Sequence, residues 1–121
     1  MEVTPARTAA VVGSGSVDVL ATPELVTLIE RTAVSLVSNA LPEGHTTVGT
    51  RVELDHVAPT PVGSEVTATV RLDSVEGRTL RFSFEVNDPA GVVARGSHVR
   101  AIVDVTTFDR RAAARRGEPV S

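Results

Sequence analysis

Residues 22–56 read TPELVTLIERTAVSLVSNALPEGHTTVGTRVELDH, and two periodicities follow one another within them. Thr22-Pro23-Glu24 is a helix start. A threonine hydroxyl can accept a bond from an orphan N–H as an N-cap, and proline is tolerated in the first turn. From there to about Leu41 the apolar residues recur at helical spacing, while Glu24, Thr27, Arg31, Ser35 and Ser38 form one polar stripe. Pro42-Glu43-Gly44 ends the segment. From Thr47 to Ala58 the period changes to two. Val48, Thr50, Val52, Leu54, His56 and Ala58 share one strand face, and Gly49, Arg51, Glu53 and Asp55 share the other.

One residue breaks the helical pattern. Glu30 points ~100° away from Arg31 and lies among Val26, Ala33, Val34 and Val37. A carboxylate in such surroundings needs a partner. Two readings are open: a boundary residue paired with an arginine, or a pair with His56, which the alternation places on the helix-facing side of the next strand. Paired titratable groups in a cleft are site candidates.

Working outward, the chain has 121 residues, enough for one core. A net charge of −3 gives no basic field for nucleic acid. There is no cysteine, which excludes disulfides, thiolate metal sites and a Cys nucleophile. All 12 basic residues are Arg, so lysine Schiff-base chemistry is excluded too. No apolar run long enough for a membrane span and no signal-peptide core occur, so the expected location is the cytoplasm. Glu30, His56 and His98 lack any short ligand spacing, so neither metal nor cofactor is expected. His45 sits in a loop as a bystander, and His98 reads as structural.

A first strand is expected around Arg7 to Val12, followed by the loop Gly13-Ser14-Gly15-Ser16. After a proline-rich link (58–63), three more strands are expected: Glu65–Val75, Thr79–Asn87 and Val92–Val105, the last with Gly96 as a candidate bulge. The expected architecture is α+β, one long central helix packed on a five-stranded antiparallel sheet. Residues 1–108 form the single expected domain, and 109–121 an Arg-rich, disordered tail.

These features resemble the hotdog-fold thioesterases, and within them the fluoroacetyl-CoA thioesterase group. The resemblance rests on Leu28-Ile29-Glu30, Val48-Gly49-Thr50, the run Asp55 to Gly63, Ser74-Val75-Glu76-Gly77-Arg78 and Gly96-Ser97-His98-Val99-Arg100-Ala101. It implies a hotdog fold and a catalytic set of Thr22, Glu30 and His56. It also implies substrate contacts from Gly49 and Arg100. Glu30 would attack the thioester or deprotonate a water, and His56, as imidazolium, would protonate the departing thiolate. The implied substrate is an acyl-CoA, and the implied assembly a homodimer or higher even oligomer with the site at the subunit boundary. The group has a longer, aromatic lid before the helix. Here that loop is short and polar, so short or medium acyl groups are expected with little selectivity for fluorine. The rival reading is a non-catalytic hotdog module that binds an acyl or other small hydrophobic ligand. A hotdog hydratase is disfavoured because no His precedes His45.

Overall fold

The computed structural model describes residues 1–117. After a 3-10 turn (Pro5–Arg7) come helices α1 (Ala9–Val12) and α2 (Thr22–Val37). Strands β1 (His45–His56), β2 (Thr67–Glu76), β3 (Thr79–Asp88) and β4 (Gly91–Asp104) follow, and helix α3 (Val105–Ala114) closes the described chain. The strands form one four-stranded sheet in the order β1-β4-β3-β2, with all neighbours antiparallel. Leu25, Ile29, Ala33 and Val37 recur every fourth residue on α2 and are its buried stripe. They pack on the inward residues of the sheet, Phe84, Val86 and Ala94 toward one end and Leu80 and Phe82 toward the other.

The expectation of five strands and one long central helix is corrected. Arg7–Val12 is not a strand: it contains the end of the 3-10 turn and then α1. Pro5 fixes φ and lacks an N–H, and the Ala9-Ala10 pair favours a helical turn, which Gly13 closes at φ 87°. Residues 7–21 instead double back on themselves. Ala21 N–H donates to Arg7 O at 2.9 Å and Ala9 N–H to Val19 O at 2.8 Å. Met1–Val3 runs strand-like beside the start of β2, with Val3 N–H donating to Ser64 O and Val66 N–H to Met1 O, both at 2.8 Å, and Leu20 N–H donates to Thr60 O at 2.9 Å. The central helix is also shorter than expected. It gives way at Val37 to a 3-10 turn (Ser38–Ala40), and Gly44, at φ 77°, serves the turn into β1.

Two further differences set up the site. The β1–β4 register shifts between Gly49 and Arg51, leaving Thr50 as an extra residue. The bulge reverses the alternation read from the sequence. Gly49 pairs with Arg100 and faces α2, as do Val52, Leu54 and His56 beyond the bulge, whereas Val48 turns outward. Second, the tail expected to be disordered from residue 109 continues α3 to Ala114 and a turn to Gly117; residues 118–121 lie outside the described residues. Asp104 caps α3, its carboxylate accepting from Thr107 N–H at 2.9 Å. That bond holds the Asp104 carboxyl below its ordinary range. Phe108 of α3 lies with Val48, Ala101 and Val103 around a hollow of about 500 Å³ on the outward face. Among the described residues, no helix is long and apolar enough to cross a membrane.

Gly96, read as a bulge, is a point of close approach in unbroken register with Leu54 and Phe84. A Cβ there would collide with the Glu53 backbone and come within 2.8 Å of Phe84 Cζ. Gly96→Ala is therefore expected to destabilise the fold by ~2 kcal/mol or more, as overpacking against backbone does. Thermal unfolding of the variant checks this; an unchanged Tm would show that the strand shifts freely.

Candidate active site

Thr22 is the first residue of α2 rather than its cap. Ala21 occupies the cap position, and no side chain caps the helix there. The hydroxyl is thus left for another partner, and it meets His56 Nδ1 at 2.8 Å. His56 is the last residue of β1 and borders a shallow hollow with Val19, Val57, Ala58 and Pro59. Its Nε2 is buried and has no hydrogen-bond partner among the described residues. Burial lowers the imidazole pKa, with the Ala58 backbone acting in the opposite direction.

Glu30 sits two turns along α2, ~12 Å down the axis from Thr22. Its side chain is 40% exposed, and its carboxylate takes a hydrogen-bonded ion pair from Arg100, Nη1 to Oε2 at 3.0 Å. Gly49 makes this approach possible, since a Cβ there would stand 2.6 Å from Glu30 Oε2 and 3.3 Å from Arg100 Nη1. Arg100 is inside, only 5% exposed. Nε–H donates to Thr47 Oγ1 at 2.9 Å and Nη2 to Thr47 O at 3.0 Å, while Nη1 also reaches His98 Nε2 at 3.2 Å.

The residues expected to form one constellation thus fall into two. Thr22 and His56 meet at one end of α2; Glu30, Gly49 and Arg100 meet at the middle of it. No hydrogen bond joins Glu30 to His56 among the described residues. Of the two partners left open for Glu30, arginine is the one found within the chain. His98, read as structural, is fully buried against Arg100. Its signal in the sequence is position: His98 and Arg100 are two residues apart on one strand face. Among the described residues no cluster of His, Asp or Glu forms a metal-ligand set.

A profile of the fluoroacetyl-CoA-specific thioesterase family matches residues 3–106. The fluoroacetyl-CoA thioesterase of Streptantibioticus cattleyicolor is 34% identical over 94 residues, spanning 78% of this chain and 68% of that protein. A solved structure of the fluoroacetyl-CoA thioesterase FlK is similar with a TM-score of 0.87 and 30% identity, covering 98% of this chain and 91% of the other. A hot-dog-like protein from Thermanaerovibrio acidaminovorans has a TM-score of 0.90 at 30% identity, covering 98% and 88%.

The lowered His56 pKa has a consequence for stability. The unfolded chain holds the His proton more tightly than the folded one, so acid favours unfolding. Stability from this group is present above the unfolded value, about 6.5, and is lost as pH falls from there through the folded value. Urea unfolding between pH 7.5 and 5 is expected to show a loss that shrinks in His56→Asn. An equal loss in the variant would assign the effect to other groups.

Proposed function

The chain belongs to the fluoroacetyl-CoA-specific thioesterase family and is a thioester hydrolase of hotdog-like α+β fold, and from that premise we propose how and on what it acts. Its substrates are short or medium acyl-CoA thioesters, and its reactive site is completed by a second copy of the chain. A FlK structure holds fluoroacetate and CoA, which supports the acyl-CoA class.

The observation that carries the reading is the incompleteness of each half-site. His56 Nε2 is buried without a partner, and the Glu30 carboxylate is partly open. β1 lies at a sheet edge with one side unpaired, a position that invites another strand. Antiparallel pairing of two β1 strands centred on Glu53 sets Val52 opposite Leu54 on the inner face. On the outer face it sets Arg51 opposite Asp55, twice by symmetry, on either side of a Glu53–Glu53 pair whose repulsion is offset by each chain's Arg51, Nη2 to Glu53 Oε2 at 3.4 Å. With the Thr50 bulge skipped as it is against β4, Gly49 then falls opposite His56. Glu30 of one subunit, which lies over Gly49, thereby meets Thr22 and His56 of the other.

In that site Glu30 supplies the attacking oxygen, either directly as a mixed anhydride that water then opens, or through the water it deprotonates. As the C–O bond forms the C–S bond breaks. In the water route the proton that Glu30 takes from the water passes by way of His56 Nε2 to the thiolate sulfur; in the anhydride route the sulfur takes its proton from the water that opens the anhydride, and in both Thr22 holds the ring at Nδ1. Gly49 contributes by letting the Glu30 carboxylate lie against the strand, where a Cβ would stand 2.6 Å from Oε2. A carboxylate brought to His56 by the second copy acts on the ring in the direction opposite to desolvation.

Acyl selectivity follows from the doubled-back segment 7–21. Its tip exposes Val11, Val12 and Val17, and the segment has no aromatic residue. One small substituent is worth only ~1–3 kcal/mol even against a closely shaped wall. We therefore expect acetyl-, propionyl- and butyryl-CoA all to be hydrolysed in a free-thiol assay, with kcat/KM for fluoroacetyl-CoA within ~10²-fold of acetyl-CoA. No thiol release from any acyl-CoA would favour a ligand-binding module. A fluorinated preference above ~10⁴-fold would show that selectivity needs no aromatic lid.

A further inference from the structure

Arg100 is the most extensively bonded charged side chain of the site, yet it faces away from any solvent-borne substrate. Four hydrogen bonds engage its guanidinium: to Thr47 Oγ1, Thr47 O, His98 Nε2 and Glu30 Oε2. A guanidinium has five N–H donors, so one remains. Such a group is poorly placed to capture a phosphate and well placed to hold a carboxylate.

His98 explains how the guanidinium is itself held. Its Nδ1 lies 2.7 Å from Arg51 O. A carbonyl only accepts, so Nδ1 carries the proton and Nε2 presents a lone pair to Arg100 Nη1. The ring is fully buried and stacks on Phe82, with centroids 5.9 Å apart and planes 28° from parallel. Arg51 is the first residue beyond the Thr50 bulge. A bond chain thus runs from the Arg51 carbonyl through His98 and Arg100 to Glu30.

We infer that Arg100 and His98 are positioning residues for Glu30. Arg100 fixes Oε2 so that Oε1 is the oxygen presented to the thioester, and His98 fixes where Arg100 stands. The inference rests on the reading of Glu30 as the reacting carboxylate, and it assigns Arg100 a place in the turnover step rather than in substrate capture. Loss of an interaction made in substrate binding raises KM, whereas loss of orientation at the reacting carboxylate lowers kcat.

The test uses the full chain and the best acyl-CoA substrate, with kcat expressed per folded protein. Arg100→Ala is expected to lower kcat by about 10²-fold while KM changes less than about threefold, and free guanidinium should restore at least about tenfold. Arg100→Lys keeps the charge without the fork and should retain part of kcat. At His98, glutamine can place an acceptor near the Nε2 position, whereas asparagine reproduces only the Nδ1 tie to Arg51 O. His98→Gln should therefore keep several-fold more kcat than His98→Asn. A structural role through stacking on Phe82 would not produce that order. A rise in KM with kcat unchanged in Arg100→Ala would overturn the inference in favour of substrate binding. Equal kcat in the two His98 variants would overturn it too, and that pair decides alone if Arg100→Ala fails to fold. Glu30→Gln separates the levels. If it keeps wild-type turnover, the reading of Glu30 fails and this inference with it. If it is inactive while Arg100→Ala and His98→Asn turn over normally, only the inference fails.

Discussion

A guanidinium taken out of water on the inner face of a sheet must find acceptors for its N–H groups, because an unpaired buried charge is strongly destabilising. Arg100 imposes that demand here, and the neighbouring structure meets it. Thr47 offers both its hydroxyl and its carbonyl, His98 a ring nitrogen, and Glu30 a carboxylate oxygen from across the helix–sheet interface. The last contact requires α2 and β1 to approach closely, which the bare Cα of Gly49 permits. It also requires Gly49 to face inward, which the Thr50 bulge brings about. The pair is partly exposed on the Glu30 side, so its net contribution to stability is modest. Its importance is directional, since it determines where one carboxylate oxygen stays and which is left open.

Much of this could be read from the residues, and what could not has physical causes. The buried stripe of α2 was legible because Leu25, Ile29, Ala33 and Val37 repeat without interruption. The off-stripe position of Glu30 was legible for the same reason. The inward faces of β2 and β3 followed from clean alternation. β1 was misread in its first half because a bulge has no distinctive side chain at Thr50, and one extra residue turns Val48 outward and Gly49 inward. β4 was left without an assigned face. Its apolar residues Ala101 and Val103 lie on the outer side beside Phe108 of α3, and α3 was expected as a disordered tail, so the inward position of His98 and Arg100 was not legible. The first strand failed because Pro5 and the Ala9-Ala10 pair redirect the backbone before a strand can form.

The site residues divide along the same line. The family resemblance put Thr22, Glu30 and His56 in one set, but the spacing of residues carries no information about which subunit supplies which group. The eight-residue interval from Thr22 to Glu30 amounts to ~12 Å of helix, too far for one small reacting group to touch both. A free edge at β1, complementary charges at Arg51 and Asp55, and an unpartnered Nε2 on His56 all find a use if two copies pair there. In the proposed dimer the orphaned nitrogen is half of a site whose other half comes from the second copy.

The most direct measurement is complementation between two inactive variants. Glu30→Gln and His56→Ala are purified separately, mixed under conditions that allow subunit exchange, and assayed against the same acyl-CoA. If each site takes Glu30 from one chain and His56 from the other, a mixed dimer contains one site with both groups intact. Random exchange should then restore about a quarter of wild-type turnover. If the mixture exchanges subunits but stays as inactive as its parts, both groups act within one chain and the two-subunit site is wrong.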